Sequence, residues 1–317
     1  MSISSRRAAA AAISGFVADA ARMPLHWVYD ANELKTLVEG KDPAFLSPPA
    51  SKFYNHAFGS LSPYGDEIVS LLQYLSKTPG QFSPTDYATA SYDAMKVYPG
   101  YRNGVMCDLI ANVEAGKEYP ALASDHPDTQ GLNKVPLLVA RFAGQSDLVH
   151  IVRQAVKVHQ NSAVAIEAAV AGALILERIV ISGSSIRDAI AATKDDARVN
   201  TSIQQLIAGV LQDVATSSDV TAAIEKYGKA CPLPGAFQGA LVVLLANGHL
   251  VSSIQQNIVA GGDNCGRSIF IGAVAAAAGE VVPDTWTKLT TRYVEFHALV
   301  AQVVAHNPSL KLQVEEK

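Results

Sequence analysis

The segment Gly261-Gly262-Asp263-Asn264-Cys265 stands directly before a long alanine-rich apolar run. A carboxylate at a helix start, carried on glycines and facing a core, can bind a hard cation or orient a water. The same residues also read as a turn followed by an N-cap, because Asp accepts from the free N–H groups of a first helical turn. A second acidic start lies upstream, where Tyr64-Gly65-Asp66-Glu67 opens the run "IVSLLQYL". Acids there also suit the helix macrodipole. Hard-cation sites draw oxygen ligands from separate segments, so Asp66, Glu67 and Asp263 form a candidate set. Spacing alone does not bring them together.

Other positions carry chemistry with an ordinary structural reading beside it. Asp19 lies among Phe16, Val17, Ala18, Ala20 and Ala21, and a buried carboxylate of that kind needs a partner. His26 follows the helix-stopping Pro24. His159 falls where one helix ends and a very apolar one begins, with Asn161 or Ser162 as the cap. Cys265 occupies a first helical turn, where a thiol pKa can fall, and Arg267 would help stabilise a thiolate. A buried, inert thiol is the alternative. No GxSxG elbow, GxxxxGK[ST] loop, HExxH, CxxC or EF-hand spacing is present.

The elements that must position these residues are helical nearly throughout. Residues 5–23 consist of good helix formers and end before Pro24. Ile68, Leu71, Leu72 and Leu75 recur at helical spacing, as do Leu148, Ile151, Val152, Ala155 and Val156. Ser83, Pro84 and Asp86 make a helix start of N-cap, proline and acid. Residues 162–183 and 236–248 are apolar on nearly all sides, which places them in the middle of a large helical protein. The longest irregular stretches expected are 40–65 and 117–136, and loops of that length tend to be functional. No linker or fixed-period repeat divides the chain. A single all-α domain over residues 1–317 is expected, with its centre at 160–180 and 236–279.

Composition narrows the function classes. Apolar residues make up 49% of the 317 positions and charged residues 17%, enough to fill a core and far from a disordered chain. A net charge of −4 without a basic stripe makes nucleic acid an unsuitable partner. No apolar run reaches the length of a membrane span. Cys107, Cys231 and Cys265 are odd in number and far apart, which fits a reducing compartment, the cytoplasm. The Ser-, Ala- and Arg-rich first residues, with Asp19 as first acid, have the composition of an organelle transit peptide. An ordinary first helix with Arg6 and Arg7 exposed is the competing reading.

Taken in order, these stretches resemble the motifs of the ADP-ribosylglycohydrolase family from about residue 8 to residue 282. Residues 18–24, Ala-Asp-Ala-Ala-Arg-Met-Pro, are similar to the end of its opening helix, so the N-terminal segment belongs to the fold. "YGDEIVSLLQYL" resembles the Thr-Asp-Asp-Thr helix start that binds magnesium. "VKVHQNSAVAIEAAVAGAL" resembles the Thr-His helix beside the ADP-ribose. Residues 233–279 resemble the C-terminal core that ends in Gly-Gly-Asp-x-Asp-Thr. The resemblance implies an orthogonal helical bundle, two magnesium ions in a cleft, and cleavage of a glycosidic bond of ADP-ribose.

The departures are as informative. At Gly65-Asp66-Glu67-Ile68 both hydroxyl ligands are lost and one carboxylate is longer. At Asp263-Asn264-Cys265-Gly266 a carboxylate and a hydroxyl are lost. "MPLHWVYD", "SPYGDE" and "GGDNCGRS" resemble the subgroup of jellyfish J-type lens crystallins and selenoprotein J.

The expected function is therefore a hydrolase of an N- or O-glycosidic bond in ADP-ribose or a smaller ribosyl compound, with a degenerate magnesium site. Asp66, Glu67 and Asp263 would hold one Mg2+ ion, one of them activating water. Asp19, His26, His159, Cys265, Gly131 and Asn133 would line the small-molecule or ADP-ribosylated substrate. The alternatives are a structural or ligand-binding relative without catalysis, and a hydrolase using Cys265 as nucleophile.

Overall fold

A computed structural model describes residues 1–217 and 219–311. Of the single domain expected over 1–317, Ser218 and 312–317 lie outside the described residues. Among the described residues the chain is helical, with isolated bridges at Val28–Gly262 and Ser124–Gln160 and no strand.

Helix α1 (Ile3–Arg22) runs into a tight turn at Met23–Leu25. Then come α2 (Ala31–Val38), α3 (Pro63–Lys77), α4 (Pro84–Lys96) and α5 (Gly104–Glu114). The short α6 (Gln130–Asn133) leads into α7 (Val135–Phe142), α8 (Leu148–Lys157) and α9 (Ala163–Ser182). Peripheral helices α10 (Ile186–Lys194), α11 (Thr201–Thr216) and α12 (Val220–Tyr227) precede α13 (Gly235–Ala246), α14 (Leu250–Val259) and α15 (Asn264–Ala277). The described chain closes with α16 (Asp284–Leu289), α17 (Tyr293–Ala305) and α18 (Pro308–Lys311).

The expected starts are present. The Ser83 hydroxyl accepts from Asp86 N–H, Ser62 accepts from Tyr64 N–H, and Asp263 accepts from Gly266 N–H. Ser162 caps α9 by position but without a side-chain bond. Helix α9 ends on Gly183 in the left-handed region, where glycine carries no Cβ penalty.

The centre differs from expectation in one respect. Helices α9, α13 and α15 are central as read, but α1 is the principal partner of α15. Small residues explain the close approach: a Cβ on Gly272 would lie 2.5 Å from Ala18 Cβ and 3.0 Å from Ser14 O. Alanine periodicity along α1 supplied no strong amphipathic signal, because small residues bury little area while allowing near backbone contact. Of the two arginines expected to be exposed on this first helix, Arg6 is exposed and Arg7 is half-buried, its guanidinium lying against Gly183. The loop expected over 117–136 is also shorter than read, since Leu132 and Val135–Phe142 are buried in α6 and α7.

Candidate active site

Asp19, in the last turns of α1, projects toward the start of α3. Its Oδ2 accepts from Ser62 N–H at 2.7 Å and its Oδ1 from the Ser62 hydroxyl at 2.6 Å. Ser62 is itself the N-cap of α3. A Cβ at Gly65 would fall 2.1 Å from Asp19 Oδ2, so the glycine before Asp66 makes room for this contact. Burial pushes the Asp19 carboxyl up to about 7, against the Ser62 bonds that pull it down. Asp19 thus has the partner its burial demanded, and its role is to seat α3 on α1.

Asp66 and Glu67 then diverge by about 100° around α3. Asp66 Oδ2 accepts from the Tyr98 hydroxyl at 2.7 Å. It lines a cavity of about 320 Å³ with Asn55, His56, Ser60, Tyr98 and Arg292. Partial burial raises its pKa, opposed by Tyr98, His56 and Arg292.

Glu67 points inward and is 1% exposed. Its Oε1 lies 3.2 Å from Lys134 Nζ and its Oε2 accepts from Asn103 Nδ2 at 3.3 Å. Lys134 is fully buried and also donates to the Gln130 carbonyl at 3.1 Å. Burial pushes both members of this pair toward their neutral forms, and each charge favours the other.

Asp263 is fully buried at the start of α15. Gly261 and Gly262 both have positive φ, at 72° and 70°, a conformation that favours glycine. Gly262 O accepts from Trp27 N–H and Gly262 N–H donates to Val28 O, which ties the loop to the segment after α1. Asp263 Oδ1 meets His26 Nε2 at 2.8 Å, and His26 Nδ1 meets the Tyr54 hydroxyl at 2.7 Å. Burial lowers the His26 pKa despite Asp263. Burial raises a carboxyl, but His26, Arg267 and Gly266 N–H outweigh it and hold Asp263 below its usual range. A neutral His26 that donates from Nε2 and accepts at Nδ1 fits both bonds.

Above this pair the His26 and Trp27 rings stack at 4.2 Å. Trp27 is enclosed by Phe53, Tyr54, Tyr64 and Tyr101 at centroid distances of 5.1, 5.9, 6.3 and 5.5 Å. These rings roof the acid.

The remaining expected residues are dispersed. His159 is fully buried with Nε2 2.7 Å from the Ser91 hydroxyl, and burial with the neighbouring Lys134 charge keeps it neutral. Gly131 N–H donates to Gln160 Oε1 at 2.8 Å, and Gln160 Nε2 donates to the carbonyls of His126 and Asp128. Gln160 therefore shapes the 126–131 loop, a role the sequence reading missed. Asn133 is buried with neither amide atom bonded within the protein.

Of the two readings of Cys265, the structure agrees with the buried thiol and not with the thiolate. Its thiol is fully buried, 3.9 Å from Asp19 O, and burial pushes its pKa well up despite Arg22. Arg267 instead binds Asn257 Oδ1 and the carbonyls of Gly261 and Lys229. Three basic side chains, Arg22, Lys134 and Arg267, are fully buried among these segments. Lys134 did leave a sequence signal, as a lone cation in the apolar stretch "GLNKVPLLVA".

A single Mg2+ shared by Asp66, Glu67 and Asp263 does not fit this arrangement. Magnesium takes oxygens at about 2.0–2.1 Å in near-octahedral array. Here Glu67 faces an ammonium, Asp263 an imidazole and Asp66 a phenol. Among the described residues no three His, Cys, Asp or Glu side chains are grouped to hold an ion. Spare capacity remains at Asp263 Oδ2 and Thr129 Oγ1, neither bonded within the protein. They lie 2.6 and 2.4 Å from where a Cβ on Gly266 would stand. That spot offers one carboxylate and one hydroxyl.

The sequence pattern of the ADP-ribosylglycohydrolase family matches residues 2–311. The chain belongs to that family. Crystallin J1A of Tripedalia cystophora is 29% identical over 307 residues, covering 90% of this chain and 92% of its own. Crystallin J1B of the same animal is 28% identical over 316 residues, covering 94% and 96%. A solved structure described as an ADP-ribosylglycohydrolase-related protein complex superposes with a TM-score of 0.71 at 15% identity, covering 96% and 98%. That likeness shows the all-helical fold. Among the described residues no helix is long and apolar enough to cross a membrane.

Proposed function

We propose that this family member works without a divalent cation, as a structural or small-molecule-binding protein on a glycohydrolase scaffold. The observation that carries the reading is the separation of the three acids, each engaged by its own protein partner: Glu67 by Lys134, Asp263 by His26 and Asp66 by Tyr98. A metal-assisted glycosidic cleavage needs a cation beside the sugar and a carboxylate free to take a proton from water. Glu67 is buried with both oxygens bonded, and Asp263 is buried with Oδ1 bonded to His26, which leaves only its Oδ2 without a protein partner. The crystallin names of the two Tripedalia relatives agree with this reading. Three free cysteines, one of them exposed, suit the cytoplasm.

One observation favours a second reading, a hydrolase or binding site for a ribosyl compound. Asp66 borders an open cavity with His56, Tyr98 and Arg292 around it, so an acid with a raised pKa stands where a small ligand fits. Calorimetric titration with ADP-ribose, with and without Mg2+, separates the two. The expected result is no magnesium-dependent binding. Binding that requires Mg2+ and vanishes in Asp263→Ala would restore the metallohydrolase reading. Magnesium-independent binding lost in Asp66→Ala would favour the second.

A further inference from the structure

We infer that Lys134 is a built-in cation, and that removing it uncovers a divalent-cation site at Glu67. The inference rests on the reading that this chain needs no metal, and explains how the inner acid is satisfied. Glu67 and Lys134 are both essentially inaccessible, so their charges are not screened by water. An ionised carboxylate in such a place requires a cation or a proton. The ammonium meets the carboxylate at 3.2 Å and the Gln130 carbonyl at 3.1 Å. It is therefore held by hard oxygens, one of them charged, the ligand chemistry that a small dication also takes.

The short segment that carries Lys134 is polar beyond what Lys134 itself uses. Asn133 Oδ1 and Nδ2 and Gln130 Nε2 are buried on it without protein partners. Truncating Lys134 to alanine removes the charge and opens a space lined by Glu67 and the Gln130 carbonyl. Mg2+ then has a carboxylate and a carbonyl as its first protein ligands.

The probe is MgCl2 alone, titrated against thermal unfolding at constant ionic strength, without nucleotide. Wild type is expected to melt at the same temperature with Mg2+ or EDTA. Lys134→Ala should melt roughly 5–10 °C lower in EDTA and recover part of that loss saturably with Mg2+. Lys134→Ala/Glu67→Gln should not respond to Mg2+. Should Lys134→Ala fail to fold in EDTA, its soluble yield when refolded with Mg2+ against EDTA gives the same answer. A wild type stabilised saturably by Mg2+ overturns the inference, and so does a Lys134→Ala protein indifferent to it. The result is separable from that of the ADP-ribose titration. A magnesium-silent wild type with a silent variant refutes the built-in cation alone, while a magnesium-responsive wild type refutes both readings.

Discussion

Asp66 and Glu67 are neighbours in sequence and opposites in the fold. Asp66 faces a cavity of about 320 Å³ and bonds one phenol. Glu67, one step around α3, is sealed inside with Lys134 and Asn103. The two acids read identically as helix-start carboxylates, yet one is part of the folded core and the other remains available to a ligand. In this chain, what each acid can do is set by the group that stands opposite it.

The largest expected effect tests the inner half of that comparison. Glu67→Ala leaves the Lys134 ammonium buried without its counter-charge, and breaking one side of a buried pair costs about 3–5 kcal/mol. Urea unfolding should show that loss, with Glu67→Ala/Lys134→Met recovering most of it. A change under about 1 kcal/mol for Glu67→Ala would mean that Glu67 is not held as an ion pair, and the contrast with Asp66 would lose its physical basis.

Next comes the pH dependence centred on Asp19, the acid that anchors the helix carrying both residues. Its folded pKa, about 7, is raised above the usual 3.8 by burial. The folded state thus binds the proton more tightly than the unfolded chain does. Stability from this group is fully present below about pH 4 and is lost as pH rises toward 7, by up to about 4 kcal/mol for a shift of this size. Asp66 and Glu67 are shifted in the same direction. Melting temperature should fall between pH 5 and pH 7.5, and Asp19→Asn should flatten that slope. A slope unchanged in Asp19→Asn would assign the titration elsewhere.

Much of this was legible beforehand, for stated reasons. Helix periodicity at Ile68, Leu71, Leu72 and Leu75, and caps at Ser83 and Asp263, are local signals, and the structure contains them. The need for a partner at Asp19 followed from its apolar neighbours, although Ser62 as that partner did not. Pairings between distant segments left no local trace: His26 meets Asp263 across 237 positions and Lys134 meets Glu67 across 67. The roof over Asp263 is equally silent in sequence, because Trp27, Phe53, Tyr64 and Tyr101 become one cluster only after folding. At Cys265 two local readings competed, and complete burial, which pushes the thiol pKa up, outweighs the first-turn position that argues for a lowered one.

The smallest expected effect tests the outer half of the comparison. Asp66→Asn keeps an oxygen that accepts from Tyr98 and removes only a charge that solvent already reaches in part. Its unfolding free energy should change by less than about 1 kcal/mol, the scale of one exchanged hydrogen bond. The same substitution should alter what the cavity accepts, since the raised Asp66 pKa makes its charge a function of pH. A cationic or hydroxyl-donating ligand that relies on the carboxylate should bind more tightly as pH rises, and Asp66→Asn should abolish that dependence. A stability loss beyond about 2 kcal/mol in Asp66→Asn would place Asp66 with Glu67 as an internal support. The cavity would then lose the acid that distinguishes it from any other surface hollow.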